Sequence, residues 1–190
     1  ACCEDSNKGT PLNDARLHDS DQGDRCLTIA IAGNPNCGKS ALFNTFTGIR
    51  QKTGNWPGVT VDRKQGIFEL DNYLVTVYDL PGIYSLDASS IDEEVTRDYL
   101  LTRDADLIVN VVDAANLERN LYLTAQLLEM GVPIVLVLNM MDVARKRGIE
   151  IDTKDLSQKL GCPVVPIVVD RPHPRVQDDQ PLDMLRMVDE

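Results

Sequence analysis

The chain has 190 residues, 43% of them hydrophobic, and a formal net charge of −11 with an isoelectric point near 4.6. This length supports one well-buried core, and the acidity argues against nucleic-acid partners, because binding to phosphate backbones depends on Lys and Arg. Its five cysteines lack zinc-site spacing, and no apolar run approaches the roughly 18 residues of a membrane helix, so we expect reduced thiols and a chain that is soluble by itself.

Residues 1–25 are polar and charged with almost no apolar side chains, which is typical of a solvated tail. Residues 26–190 are predicted to form one domain, in which 170–190 are an atypical final segment. The chain begins at Ala1 without a methionine, which we interpret as processing or as excision from a longer protein.

The first predicted strand, residues 26–32, runs into Gly33-Asn34-Pro35-Asn36-Cys37-Gly38-Lys39-Ser40, and a predicted helix over 41–47 follows. The glycines let successive backbone N–H groups surround a polyphosphate. The Lys39 ammonium can reach its outer phosphates, and the Ser40 hydroxyl can ligate Mg²⁺. Strand, loop and helix together predict a phosphate-binding loop.

Residues 48–63 are rich in Gly, Thr and Asn, and we predict a switch loop beside the ligand. We place Thr60 on Mg²⁺ and the γ-phosphate of a bound nucleoside triphosphate, with a plain strand-entry threonine as the alternative. Trp56 looks exposed in this loop, and a packing anchor and a functional group fit it equally well.

Strands are predicted over residues 66–70 and 73–78, and Asp71-Asn72 between them indicates a hairpin turn and one antiparallel pair. Asp79 follows directly, where a carboxylate can hold Mg²⁺ through water while the Gly82 amide meets the γ-phosphate. Ile83 occupies the position at which many GTPases place a Gln that orients the attacking water, and isoleucine cannot hydrogen-bond water.

The later elements alternate in the same way. Helices are predicted over 91–101 and 153–160, and between them Asn116 is expected to cap a third helix that ends near Gly131. The buried face of that third helix is predicted from Leu117, Leu121, Thr124, Ala125 and Leu128. Strands are predicted over 107–112, 134–138 and 164–169.

Asn139-Met140-Met141-Asp142 follows the strand over 134–138. An aspartate there can accept hydrogen bonds from the N1–H and the exocyclic amine of guanine, and adenine has no such donor pair on that edge. The sequence therefore favours GTP over ATP. The whole pattern predicts a doubly wound α/β domain, a P-loop NTPase with a Ras-like G-domain fold, in which helices flank six to seven mostly parallel strands.

Four stretches, residues 33–40, 54–61, 79–86 and 111–123, resemble the GTP-binding domain of the ferrous iron transport protein B (FeoB) family. The resemblance implies a regulatory GTPase domain at the cytoplasmic face of the inner membrane, with the membrane permease domain of a longer Fe²⁺ transporter as its partner. Whether the chain is a fragment or a stand-alone relative stays open, as does homo-oligomer formation.

GTPases similar to this family, with Asn at the position of Asn36, use K⁺ in place of an arginine finger. We therefore expect the Asn36 amide oxygen and carbonyls of the segment from Gly54 to Trp56 to hold K⁺ against the phosphates. The expected activity is GTP hydrolysis at a low intrinsic rate, with Asn36, Lys39, Thr60 and Gly82 as catalytic residues.

The family usually continues after Pro166 into a Ser-centred loop that contacts the guanine, and this chain has Ile167 to Pro174 there without serine. We therefore expect weak nucleotide affinity or a changed base loop. The predicted nucleotide-binding residues are Gly33, Asn34, Pro35, Asn36, Cys37, Gly38, Lys39, Ser40, Ala41, Gly58, Val59, Thr60, Asp79, Gly82, Asn139, Met140, Asp142, Val168 and Val169. The predicted metal ligands are Ser40, Thr60 and Asp79 for Mg²⁺, and Asn36, Gly54 and Trp56 for K⁺.

Two alternatives remain at this point. A soluble ribosome-assembly or tRNA-modifying GTPase would share the Asn-bearing phosphate loop, but such proteins normally carry a basic surface, which the net charge of −11 disfavours. A GTP/GDP sensor with little turnover would fit the isoleucine at position 83.

Overall fold

The computed structural model describes residues 25–48, 51–70 and 73–167. In this part of the chain, seven strands form one sheet with the order β2-β3-β4-β1-β5-β6-β7. The pairs β2–β3 and β3–β4 are antiparallel, and the other four pairs are parallel. The strands are β1 (Arg25–Gly33), β2 (Gln51–Asn55), β3 (Asp62–Leu70), β4 (Tyr73–Asp79), β5 (Leu107–Asp113), β6 (Ile134–Asn139) and β7 (Val164–Pro166).

Five α-helices connect the strands within the described residues, and one short 3₁₀ helix, Ala114–Asn116, follows β5. Ser90 and Asp152 cap the second and fifth α-helices with side-chain oxygens that accept backbone N–H groups. The helices are α1 (Lys39–Thr47), α2 (Ile91–Thr102), α3 (Leu117–Glu129), α4 (Met141–Lys146) and α5 (Thr153–Leu160).

The sheet separates two hydrophobic cores, as expected where strands are covered on both faces. On one face, α1 packs against β1, β3 and β4, with Leu42 and Phe43 in the core. On the other face, α3 contributes Leu123 and Leu127, and all six residues of β6 are buried. The predicted doubly wound, mostly parallel α/β fold is confirmed.

Several predicted boundaries differ from the structure. The predicted switch loop over 48–63 contains strand β2, and β3 begins at Asp62 rather than at residue 66. Strand β2 was missed because it lies at the sheet edge, where four of its five residues are exposed and no apolar alternation marks it. Helix α4 was also missed, because its six residues are too few for a readable period.

Helix α3 shows two further differences. Ala125 is exposed, whereas Asn120, Leu123, Thr124 and Leu127 form the buried face. Asn116 precedes α3, but its side chain makes no capping hydrogen bond to the helix. Its amide instead donates to Asp113 Oδ2 at 2.6 Å.

Some predictions fall outside the described residues: the tail up to residue 24, the turn at Asp71-Asn72, and the segment from 168 to 190 with Val168 and Val169. Arg25, which we assigned to the tail, is the first residue of β1. None of the helices in the described residues combines the length and apolar character needed to cross a membrane.

Candidate functional site

The loop after β1 is shaped by two glycines that stand where a side chain would not fit. Gly33 has φ +151°, and a Cβ there would lie 2.2 Å from the Val111 carbonyl oxygen. Gly38 has φ +100°, and its Cβ would lie 2.2 Å from Asn139 Nδ2. Both glycines are therefore required by close approach of neighbouring strand ends as well as by backbone conformation.

The polar side chains of the loop differ in exposure: one asparagine is exposed, and the other asparagine and the lysine are buried. Asn36 is exposed with φ +63°, a left-handed conformation that asparagine tolerates better than most residues. Asn34 is buried, and neither polar atom of its side chain has a hydrogen-bond partner. Lys39 is also buried, and its Nζ donates to the Asn34 carbonyl oxygen at 3.0 Å. The ammonium is thus held inside the loop, directed at the space that the loop encloses.

The carboxylate of Asp79, at the end of β4, faces this loop. Ser40 Oγ donates to Asp79 Oδ2 at 3.0 Å, and Lys64 Nζ lies 3.9 Å from the same oxygen. The buried Oδ1 has no partner. Burial raises the pKa of the Asp79 carboxyl above its ordinary value, although Ser40, Lys39 and Lys64 each act in the opposite direction.

A cavity of about 270 Å³ opens between these groups. Its lining includes two lysines and three aspartates. This composition suits a ligand that combines phosphate groups with a divalent cation. A Cβ on Gly82 would lie 2.9 Å from Lys39 Nζ and 3.1 Å from Pro35 Cα, so glycine keeps this wall of the cavity clear. The lining residues are Lys39, Ser40, Val61, Asp62, Lys64, Asp79, Leu80, Pro81, Gly82 and Asp92.

The predicted base-binding residues lie beside the same loop. Asn139 ends β6, is buried, and its Nδ2 donates to the Cys37 carbonyl oxygen at 3.0 Å. Met140 has φ +60° and turns the chain into α4. Asp142, in the first turn of α4, is half-buried, and Lys146 Nζ lies 3.4 Å from its Oδ2. A carboxylate in this position remains accessible to a base.

Residues 51–63 of the predicted switch loop, which we call the switch segment, have a less expected arrangement. Thr60 is exposed and does not line the cavity, although Val61 and Asp62 do. Gly58 has φ +79°, Val59 is half-buried, and Gly54 lies in β2. The structure thus brings the phosphate loop, Asp79, Gly82 and Asn139 together, and it does not bring Thr60 into the cavity lining.

Trp56 is 7% exposed, which corrects the expectation that it is exposed in the loop. Its ring packs on Tyr99 and Tyr78, and the Arg63 guanidinium lies 5.4 Å from the ring centroid. The burial and ring contacts fit a packing anchor, one of the two roles left open from the sequence. The burial was missed because the partners of Trp56 lie on other elements.

Sequence reasoning also missed three charged residues that line the cavity, Asp62, Lys64 and Asp92. Lys64 and Asp79 are register partners on neighbouring antiparallel strands, and side chains of such pairs lie on the same face. Extending the predicted strand 66–70 by two residues would have placed Lys64 opposite Asp79. Ile83 is 2% exposed, so its side chain belongs to the core and not to the cavity.

Comparison with known proteins gives consistent matches. The family model described as ferrous iron transport protein B matches residues 27–175. Among curated proteins, the Fe(2+) transporter FeoB of Salmonella typhimurium and that of Escherichia coli K12 are each 56% identical over 149 residues. Each match covers 76% of this chain and 19% of the relative, so the chain spans about a fifth of the length of these relatives.

Solved structures agree with the sequence comparison. The cytosolic domain of L. pneumophila FeoB is 50% identical with a TM-score of 0.72, covering 75% of this chain and 62% of that chain. A mutant of S. thermophilus NFeoB bound to mGDP is 47% identical with a TM-score of 0.76, covering 85% and 59%. The G domain of T. maritima FeoB is 46% identical with a TM-score of 0.72, covering 76% and 89%.

Proposed function

Because this chain belongs to the ferrous iron transport protein B family, we propose that it binds and hydrolyses GTP as the regulatory domain of an Fe²⁺ transporter. One observation carries the proposal. The phosphate loop, the Asp79 carboxylate and the Asn139-to-Asp142 segment lie at one edge of the sheet, and the hydrogen bond from Asn139 to Cys37 links the last of these to the first. Guanine and phosphates of one nucleotide can therefore be held together.

Residues of the site also fit a magnesium ion. The buried Asp79 Oδ1 has no partner, and the Ser40 hydroxyl lies beside the other carboxylate oxygen, which gives two oxygen donors of the kind that Mg²⁺ prefers. We propose that Ser40, Asp79 and, in the GTP state, Thr60 hold the ion. Held by these residues, the ion would supply positive charge against the phosphates.

The protein's own groups divide the remaining work. Lys39 holds the outer phosphates, and the Gly82 N–H binds the γ-phosphate. Ile83 is buried and apolar, so it cannot orient the attacking water. We assign that task to backbone groups of the switch segment, and this assignment predicts a low intrinsic rate. Asn36 is exposed, and we propose that its amide oxygen holds K⁺ together with carbonyls of the segment from Gly54 to Trp56.

Guanine selectivity is tested by calorimetry on the full chain with GTP, GDP and ATP. GTP and GDP should bind and ATP should not. The Asp142→Asn variant should lose guanine affinity and gain affinity for xanthosine nucleotides, because an Asn amide can donate to the carbonyl that xanthine carries in place of the guanine amine. Absence of heat with every guanine nucleotide would refute the proposal. Submicromolar GDP binding with slow release would contradict the weak affinity expected from the segment after Pro166.

The potassium hypothesis has its own measurement, which is phosphate release in KCl and in NaCl at matched ionic strength. The unmutated chain should be faster in KCl, and Asn36→Ala should lose that stimulation while it retains GDP binding. Equal rates in the two salts would rule out a role for K⁺. No hydrolysis in either salt, with GTP binding intact, would instead favour a GTP/GDP sensor, the alternative that the buried Ile83 supports.

The function in transport concerns a longer protein. The relatives that match are about five times as long as the matched segment, which covers 19% of them. We propose that the partner of this domain is the membrane permease part of the same protein, and that the domain lies on the cytoplasmic face of the inner membrane. Iron uptake by cells that carry the full-length protein, compared with an Asp142→Asn version, tests this proposal. Unchanged uptake at equal expression would contradict it.

A further inference from the structure

We propose that an aromatic clasp, made of Trp56, Arg63, Tyr78 and Tyr99, positions Thr60 and thereby sets the preference between guanosine triphosphate and diphosphate. The inference rests on the proposed function and assigns a role to residues that do not line the nucleotide cavity. In the structure the clasp is closed, and Thr60 is exposed and does not line the cavity, although the next residue, Val61, does.

The clasp is built from contacts between three elements and the switch segment. The Trp56 ring meets Tyr99 of α2 edge-on, with centroids 5.2 Å apart, and meets Tyr78 of β4 at 6.5 Å. The two tyrosine rings are themselves 5.6 Å apart. The Arg63 guanidinium lies over two of these rings, 4.8 Å from the Tyr78 centroid and 5.4 Å from that of Trp56.

Backbone hydrogen bonds carry the effect of the clasp to Thr60. Trp56 N–H donates to the Val61 carbonyl oxygen at 2.9 Å, and Val59 N–H donates to the Trp56 carbonyl oxygen at 3.3 Å. The segment 56–61 is therefore closed on itself, with the indole as its anchor in the core. Thr60 lies inside this closed segment, so moving it into the cavity requires a change in the same backbone that Trp56 holds.

The contacts within the clasp also allow its rings to separate. Three of its polar atoms, Trp56 Nε1, Arg63 Nε and Tyr99 OH, are buried without a hydrogen-bond partner. The rings are thus held by packing and by the cation over their faces, and no directional bond from these atoms fixes their positions. Tyr78 directly precedes Asp79, so the clasp adjoins the end of β4 at which the cavity begins.

The clasp should affect the binding of the guanosine triphosphate more than that of the diphosphate. Only the triphosphate offers a γ-phosphate for Thr60, so only triphosphate binding has to move the segment against the clasp. Diphosphate binding uses the phosphate loop and the base site, and no residue of the clasp lines the nucleotide cavity. Because a ligand shifts a conformational equilibrium only by its differential affinity for the two states, loosening the clasp should favour the triphosphate alone.

Variants of Tyr99 test this, because Tyr99 lies on α2 and does not line the cavity. In Tyr99→Ala, the affinity for a non-hydrolysable GTP analogue relative to GDP should rise about fivefold, with GDP affinity unchanged within about twofold. Tyr99→Phe is the matched control, since it keeps the ring and removes only an unpartnered hydroxyl, and it should leave the ratio unchanged. An unchanged or lowered ratio in Tyr99→Ala would overturn the proposal.

The single tryptophan of the chain gives an independent readout. In the unmutated protein, the GTP analogue should shift Trp56 emission to longer wavelength as the indole leaves its buried position, and GDP should not. Tyr99→Ala should already show part of this shift without nucleotide. Identical emission with both nucleotides would refute the clasp, whereas failure of both nucleotides to bind would refute the proposed function instead.

Discussion

Asn139 and Cys37, 102 positions apart in the chain, are joined by a hydrogen bond of 3.0 Å from the Asn139 side-chain amide to the Cys37 carbonyl oxygen. The bond ties the end of β6 to the phosphate loop across the neighbouring strand β5. The segment proposed to bind the base is therefore connected to the phosphate loop by a direct hydrogen bond. The Asn139 side chain is thus part of the architecture of the site.

Removing the hydrogen bond between Asn139 and Cys37 should destabilise the nucleotide-free protein. We expect Asn139→Ala to lower the free energy of unfolding by about 1 to 2 kcal/mol, because a buried carbonyl loses its donor, and to weaken GDP binding as well. Urea denaturation of the nucleotide-free protein measures the first effect. Asp142→Asn is the comparison, since Asp142 is half-buried and pairs with the exposed Lys146. Its stability should stay within about 0.5 kcal/mol, and equal losses in both variants would contradict this distinction.

A side chain at Gly38 should be poorly tolerated. Gly38→Ala combines a left-handed backbone with a Cβ that would lie 2.2 Å from Asn139 Nδ2, so we expect a loss of about 3 kcal/mol or more in the free energy of unfolding. Gly148→Ala is the control, because Gly148 has φ +73° and open space around its Cβ position. It should lose only about 1 kcal/mol. Similar losses in the two variants would show that the clash is relieved by small movements.

The buried carboxyl of Asp79 should oppose folding at neutral pH. Burial raises its pKa in the folded protein above the ordinary 3.8, so the folded state binds this proton more tightly than the unfolded state. The stability that the folded protein gains from protonated Asp79 is fully present below about pH 4. It is lost as pH rises through the raised pKa.

Nucleotide-free Asp79→Asn should therefore be more stable than the unmutated chain at pH 7, and the difference should shrink as pH falls. Denaturation at several pH values measures it. Asp155→Asn, which alters an exposed ion pair with Lys159 on α5, should show no such gain. A loss of stability in Asp79→Asn at pH 7 would mean that the contacts with Ser40 and Lys64 outweigh burial.

Introducing at position 83 the glutamine that many GTPases have there should destabilise the folded protein. Ile83 is 2% exposed in the core, so Ile83→Gln would bury an amide, and we expect a loss of about 3 kcal/mol in the free energy of unfolding. Ile91→Gln is the matched control, since Ile91 is 58% exposed, and it should be nearly neutral. Faster hydrolysis in a stable Ile83→Gln protein would show that the side chain turns out toward the cavity.

Much of the fold and of the candidate site could be predicted. Runs rich in apolar residues predicted five strands, namely β1, β3, β4, β5 and β6. Helix α5 has the predicted bounds of Thr153–Leu160. The phosphate loop was predictable because its spacing encodes backbone geometry within eight consecutive residues. Family membership was predictable for a similar reason, since it depended on four short stretches.

Other features depended on contacts that no local pattern records. The edge strand β2 has exposed polar residues, and only its register against β3 makes it a strand. Trp56 lies in a Gly- and Asn-rich segment, and its burial depends on Tyr99, which is 43 positions later in the numbering of the chain. Lys64 reaches the cavity because β3 pairs with β4.

The sequence by itself determined which chemical groups this protein offers to a nucleotide, because glycine spacing, a strand-end aspartate and the Asn139-to-Asp142 segment act through short stretches of chain. Only the tertiary structure decided how those groups are connected: which carbonyl Asn139 holds, how Trp56 anchors the switch segment, and where Thr60 lies. These relationships join residues that are distant in the chain, and their free energies come from packing and pairing between elements, which no single stretch specifies.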